Sequence, residues 1–112
     1  MVRLPPEPWA SYVDLVTASQ ALEEAIHAAS PAEAAAALLR AADQVRHAAD
    51  YQAAAGQAAR ATGLRQWAQQ LAVLAAQVRR WPPAVLRQQQ PTTLYSLQGV
   101  MAGWVRALGP VP

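Results

Sequence analysis

Residues 64–81 read LRQWAQQLAVLAAQVRRW. Leu64, Trp67, Leu71, Leu74, Val78 and Trp81 recur at steps of 3, 4, 3, 4 and 3, which places them on one face of an α-helix. Arg65, Gln66, Gln69, Gln70, Gln77, Arg79 and Arg80 fill the other faces. Gly63 stands before the stripe. Pro82-Pro83 stops it, because a proline pushes the residue before it out of helical dihedrals. The spacing predicts a helix over 64–81.

The same period returns towards the C-terminus. Leu94, Leu97, Met101, Trp104 and Leu108 form the second stripe, and Tyr95, Val100 and Val105 widen it. Thr92 or Thr93 supplies a cap, and Gly109-Pro110 closes a helix over about 93–108. Gly99, Gly103 and Ala107 form a row of small residues where another backbone can come close. Between the stripes, residues 83–90 read as a short helical turn led by Pro83 and ended by Pro91.

Upstream, Ser30-Pro31-Ala32-Glu33 has the order of a capping box with proline in the first turn. The helix it opens carries Leu38, Ala42, Val45 and Ala49 on one line, with Leu39 beside it. Gly56 interrupts this helix at a cost of about 1 kcal/mol against alanine. Thr62-Gly63 is expected to end it, giving a span of 31–61 with Gly63 as the left-handed residue, the alternative being a kink or fraying near Gly56. A first helix is expected over about 8–29, with Tyr12, Val16, Ser19, Leu22 and Ile26 turned inward. Residues 1–8 hold three prolines and read as an extended arm, leaving 9–109 as a single helical domain and 110–112 as a tail. Short joints and the absence of alternating β-branched runs predict an all-α, antiparallel four-helix bundle.

Composition narrows the options. A length of 112 residues suits one domain. Alanine accounts for 28 of them, so helices form readily but must pack closely to bury much area. Cysteine is absent, which excludes disulfides, thiolate nucleophiles and thiolate metal sites. No leader-like apolar run opens the chain and no 18-residue apolar stretch occurs, so a cytoplasmic protein without a membrane span is expected.

Charge is divided unevenly. Residues 1–56 hold seven acids against three arginines, a net of −4, whereas residues 57–112 hold six arginines and no acid, a net of +6. Folding the halves against each other would pair these charges within one molecule. The sharper alternative is a basic face for nucleic acid or an acidic protein, built from Arg60, Arg65, Arg79, Arg80 and Arg87 with Gln88-Gln89-Gln90. Trp81 would then stack on a base. Against this, Trp81 keeps the register of the stripe, and arginines suit the negative end of a helix.

Few residue sets carry chemistry. Glu24-x-x-His27 has the spacing of helical di-metal carboxylate sites, and Asp43, His47 and Asp50 share one helix face. The last two helices contain no Asp, Glu or His, so a solvated acidic face is expected rather than a metal or cofactor site. Arg40 and His47 are separated by six residues, with Tyr51 one turn on. This element resembles the Arg-x(4–6)-His motif of the HEPN ribonucleases, a family of all-helical and often dimeric proteins. The resemblance implies attack on an RNA phosphodiester by Arg40 and His47, with a dimer completing the site. The competing account is intrahelical pairing of Asp43 with His47 and of Arg46 with Asp50, each at i, i+4.

The sequence therefore favours a non-catalytic interaction or regulatory module over an enzyme. Four tryptophans and the apolar last helix exceed what one small bundle is expected to hide. Trp67, Leu71, Leu74, Val78, Trp81, Leu97, Met101, Trp104 and Leu108 are the expected contact residues for a homodimer or a helical partner.

Overall fold

A computed structural model describes residues 9–108, and the extended arm expected at 1–8, the Gly109-Pro110 helix end and the tail expected at 110–112 lie outside the described residues. The fold is all-α. Its main helices are α1 (Trp9–Ile26), α2 (Pro31–Ala54), α3 (Ala58–Val78) and α5 (Tyr95–Leu108), with the short α4 (Pro83–Gln89) before the last. Four long helices with short joints pack as an up-and-down antiparallel bundle. Glu24 meets Arg40 while Ser11 meets Ala48, so α1 and α2 run in opposite senses. Arg65 meets Asp50 across α2 and α3, and Gln98 meets Ser19 across α1 and α5.

Alanine decides how close the helices come. The α1–α2 seam buries Ala18, Ala21 and Ala25 against Ala34, Ala41, Ala48 and others, with Leu15, Leu22, Leu38 and Val45 completing it. On α1 the fully buried positions are Leu15, Leu22 and small residues, while Tyr12, Val16, Ser19 and Ile26 are only half-buried. The inward line expected for this helix is thus rotated by about one residue. Large side chains alone do not locate a seam built to alanine spacing, because close backbone approach favours the smallest residues there.

The start of α2 matches expectation. Ser30 Oγ accepts from Glu33 N–H at 3.2 Å, Pro31 occupies the first turn, and Glu33 Oε2 accepts from Ala29 N–H at 3.2 Å. Its end does not. α2 stops at Ala54, and Gly56 takes φ +80°. Gln57 N–H reaches Gln52 O at 2.8 Å and Gly56 N–H reaches Ala53 O at 3.1 Å, the paired bonds of a Schellman ending. The break is therefore at Gly56, the alternative position, and not at Thr62-Gly63, and α3 runs straight through Gly63. Thr62 bonds back to Ala58 O at 3.0 Å without interrupting the helix.

Two further boundaries shift. α1 ends at Ile26 and α3 at Val78, each three residues before the expected end. Pro91 does not stop the chain's helical path. Residues Gln90–Leu94 form a π-turn that joins α4 to α5, with Tyr95 N–H bonded to Gln90 O. Proline lacks the N–H that an α-turn would use and its ring crowds the carbonyl four residues back, so a widened turn accommodates it. Neither Thr92 nor Thr93 acts as an N-cap. Thr93 donates to the Gln89 side chain inside the turn. From the same turn, Gln90 Nε2 donates to Ala28 O at 2.8 Å and to Ala25 O at 3.3 Å, the latter also accepting from Ala28 N–H, which ties the turn to the end of α1.

Candidate functional site: the charged and apolar surfaces

The two apolar stripes face inward. Leu64, Trp67, Leu71, Val78, Leu94, Met101 and Leu108 are buried, and Leu74, Trp81, Leu97 and Trp104 are half-buried against the same core. The nine expected contact residues thus form the monomer's own core. Trp81 belongs to this packing and closes the stripe. The large apolar side chains left outside are Val13, Leu39, Tyr51, Val73, Tyr95 and Val100. Tyr95 and Val100, expected to widen the inner face of the last helix, instead point outward at 63% and 47% exposure. Gly99 lies between them, and neither Gly99 nor Gly103 has anything within 4 Å of where a Cβ would stand. The outer side of α5 is therefore apolar at Tyr95 and Val100 and open at Gly99 and Gly103, with the exposed Arg106 following in its last turn.

Charges pair mostly within the acidic half. Glu24 pairs with Arg40 between α1 and α2, and Asp43 with Arg46 at i, i+3. Glu23 meets His27 at 3.0 Å. Arg65, which pairs with Asp50 at 3.3 Å, makes the one bridge between the acidic and basic halves among the described residues. The intrahelical pairs expected for Asp43 and Asp50 thus have other partners, because Asp50 faces α3 and Arg46 turns back to Asp43. Arg60, Arg79, Arg80, Arg87 and Arg106 have no carboxylate within 4.0 Å among the described residues. Arg79 and Arg80 leave the end of α3, and Arg87 sits in the last turn of α4. All three are exposed.

The residues considered for chemistry are placed apart. Arg40 is tied to Glu24, whereas His47 lines a hollow with Asp50 and Tyr51 two helical turns away, roughly 10 Å along the axis. Glu24 and His27 border the same hollow between α1 and α2, but Glu24 is paired with Arg40 and His27 with Glu23. Among the described residues no three His, Asp or Glu side chains are placed to share a metal ion.

A buried polar contact that the sequence reading missed lies between α1 and α2. Ser11 Oγ donates to Ala48 O at 3.3 Å and accepts from Gln52 Nε2 at 2.9 Å, with both residues inside the core. One turn along α1, Asp14 Oδ2 is buried without a hydrogen-bond partner. Burial pushes the Asp14 carboxyl above its usual range, and nearby His47 opposes the shift. The Trp67 indole N–H is likewise buried without a partner. Asp14 and Ser11 are three residues apart and share a face with Leu15 and Ala18, which was the available sign that this side turns inward.

No protein-family model, curated protein or solved structure matches the chain. The surfaces themselves then carry the functional argument. No helix among the described residues is long and apolar enough to cross a membrane.

Proposed function

We propose that this protein is a non-catalytic helical interaction module that self-associates, the outward face of α5 meeting the same face of a second copy. The observation that supports it is the open strip of Tyr95, Gly99, Val100 and Gly103. Between Tyr95 and Gly103 the strip carries no charge, Arg106 lying about one turn beyond it, so a two-fold arrangement pairs identical patches there without like-charge repulsion. Small residues let two helices approach closely and gain dispersion along their length. Apolar burial drives the contact, so it persists in high salt. In place of the contact expected from the stripes of the third and last helices, this reading uses the outer side of α5 alone. The protein acts in the cytoplasm in this account, as a homodimer or with a helical partner.

The test replaces Tyr95 and Val100 by aspartate together. Both are exposed, so the fold survives, and the self-association measured by light scattering at high salt is lost. Retention of the association by this variant would reject α5 as the contact.

A second reading rests on Arg60, Arg79, Arg80 and Arg87, which are exposed without an ion-pair partner among the described residues. They would bind nucleic-acid phosphates, with affinity falling steeply as salt rises. Arg65 contributes less, being engaged by Asp50. Titration of the protein with labelled single-stranded RNA and duplex DNA at low salt tests this reading, and no binding there removes it. A HEPN-like or metal-binding role would require Arg40 to leave Glu24, and His47→Ala would then abolish RNA cleavage or metal uptake.

A further inference from the structure

The charge imbalance along the chain is not resolved inside one molecule. Arg65–Asp50 alone joins the two halves among the described residues. What remains is an acidic groove and a basic corner. The groove follows the α1–α2 crevice as two hollows of about 450 and 210 Å³, on either side of the Glu24–Arg40 pair. Ala21, Ala28 and Ala37 line it on the inner side, and Glu24, Glu33 and Asp43 stand along it. Three carboxylates stand against Arg40 and against Arg46, which pairs with Asp43, leaving one net negative charge. An alanine wall suits the aliphatic stem of an arginine whose head reaches a carboxylate.

The corner is Arg79, Arg80 and Arg87. α2 and α3 are antiparallel with Asp50 opposite Arg65, so the end of α3 lies beside the first turns of α2. Groove and corner therefore share one end of the bundle. A two-fold axis near that end brings the corner of each copy to the groove of the other in a single arrangement. Within one molecule the described structure records no ion pair between them.

We propose that two copies of this chain dock reciprocally, the Arg79–Arg80–Arg87 corner of each entering the other's α1–α2 groove against Glu24, Glu33 and Asp43. The contact builds on the self-association proposed above, but it uses a different surface and a different force. Exposed ion pairs are individually weak, so several must act together. Salt screens them, with a Debye length of about 30 Å at 0.01 M and about 3 Å at 1 M. A nucleic acid would also satisfy the arginines, but its phosphates would be repelled by the neighbouring groove.

Light scattering on the full chain at about 0.01 M and about 1 M salt tests the proposal. The mass is expected to be larger at low salt. Arg79→Glu/Arg80→Glu/Arg87→Glu gives a chain acidic at both surfaces, and Glu24→Arg/Asp43→Arg gives one basic at both. Each alone should lose the salt-dependent increase, and an equal mixture should regain it. Glu24→Gln/Asp43→Asn and Arg79→Gln/Arg80→Gln, checked by circular dichroism, guard against misfolding and should weaken the increase. Equal mass at both salts, a variant that keeps the increase, or a mixture that fails to regain it would overturn the proposal. So would an increase that disappears with nuclease treatment. The mass at high salt reports the α5 contact separately, so either idea can fail without the other.

Discussion

The side-chain space of Gly63 is occupied by the ring of Trp104. A Cβ built on Gly63 would stand 2.8 Å from Trp104 Cη2 and 3.2 Å from Cζ2. Gly63 lies within α3 and Trp104 near the end of α5, so this contact joins the first turns of one helix to the last turns of the other. It also explains why a glycine is retained inside a helix, where it costs about 1 kcal/mol against alanine.

Glycine-to-alanine substitutions should therefore diverge by site. At Gly99, where nothing stands within 4 Å, alanine should stabilise the dilute monomer by about 0.5–1 kcal/mol. At Gly63 the same propensity gain is opposed by overpacking against the indole, typically about 1–3 kcal/mol. Gly63→Ala should be neutral or destabilising, and Trp104→Leu should remove the difference in a double-mutant cycle. Thermal unfolding measures both, and equal gains at Gly63 and Gly99 would show that the ring moves aside freely.

The Ser11–Gln52 contact makes a prediction about pairs. Ser11→Ala removes the acceptor for a buried Gln52 N–H and should cost about 1–3 kcal/mol. Replacing both, as Ser11→Ala/Gln52→Leu, should recover much of that loss, because no donor is left stranded. Urea unfolding of Ser11→Ala, Gln52→Leu and the double variant checks it. A double variant worse than the sum of the singles would contradict it.

Asp14 gives a pH signature. Burial raises its folded-state pKa above the ordinary value of 3.8, with His47 partly opposing. The folded state thus holds this proton more tightly than the unfolded chain does. The resulting stability is fully present below the unfolded pKa and is lost as pH rises through the folded one. Asp14→Asn should melt higher than the parent at pH 7, and the gap should close as pH falls below 3.8. A gap that is constant with pH would assign the effect to packing instead.

Gln90 secures the π-turn to the end of α1. Gln90→Ala should destabilise by roughly 1–2 kcal/mol, since two carbonyls lose one amide donor. Hydrogen exchange should show the loss first at the end of α1 and around residues 90–94. Unchanged protection there would mean that water replaces the amide without penalty.

Much of the fold was legible because its large apolar residues keep helical spacing. The Leu64–Val78 and Leu94–Leu108 stripes and the Ser30–Glu33 cap all carry over from sequence to structure. The seam of α1 was less legible, because alanines and Ser11 mark it rather than the longest side chains. Gly56 and Gly63 each have the local appearance of a helix end. The difference between them is tertiary, a left-handed turn at one and the Trp104 ring at the other. Pro91 signals a break correctly for an α-turn, yet the chain widens into a π-turn and continues. Of the surface, the basic residues were open to two readings, pairing with the acidic half or a basic face, whereas Tyr95 and Val100 were assigned to the inner face. The second stripe already supplies α5 with enough inward residues, and these two fall on its far side.

Self-association through an apolar face is tested most directly by the mass of the untreated protein at high salt, where charge contacts are screened. Light scattering across a range of concentrations, with absorbance at 260 and 280 nm recorded, should give twice the 12.0 kDa of one chain and a nucleic-acid-free spectrum. A mass of 12.0 kDa at every concentration would contradict the account.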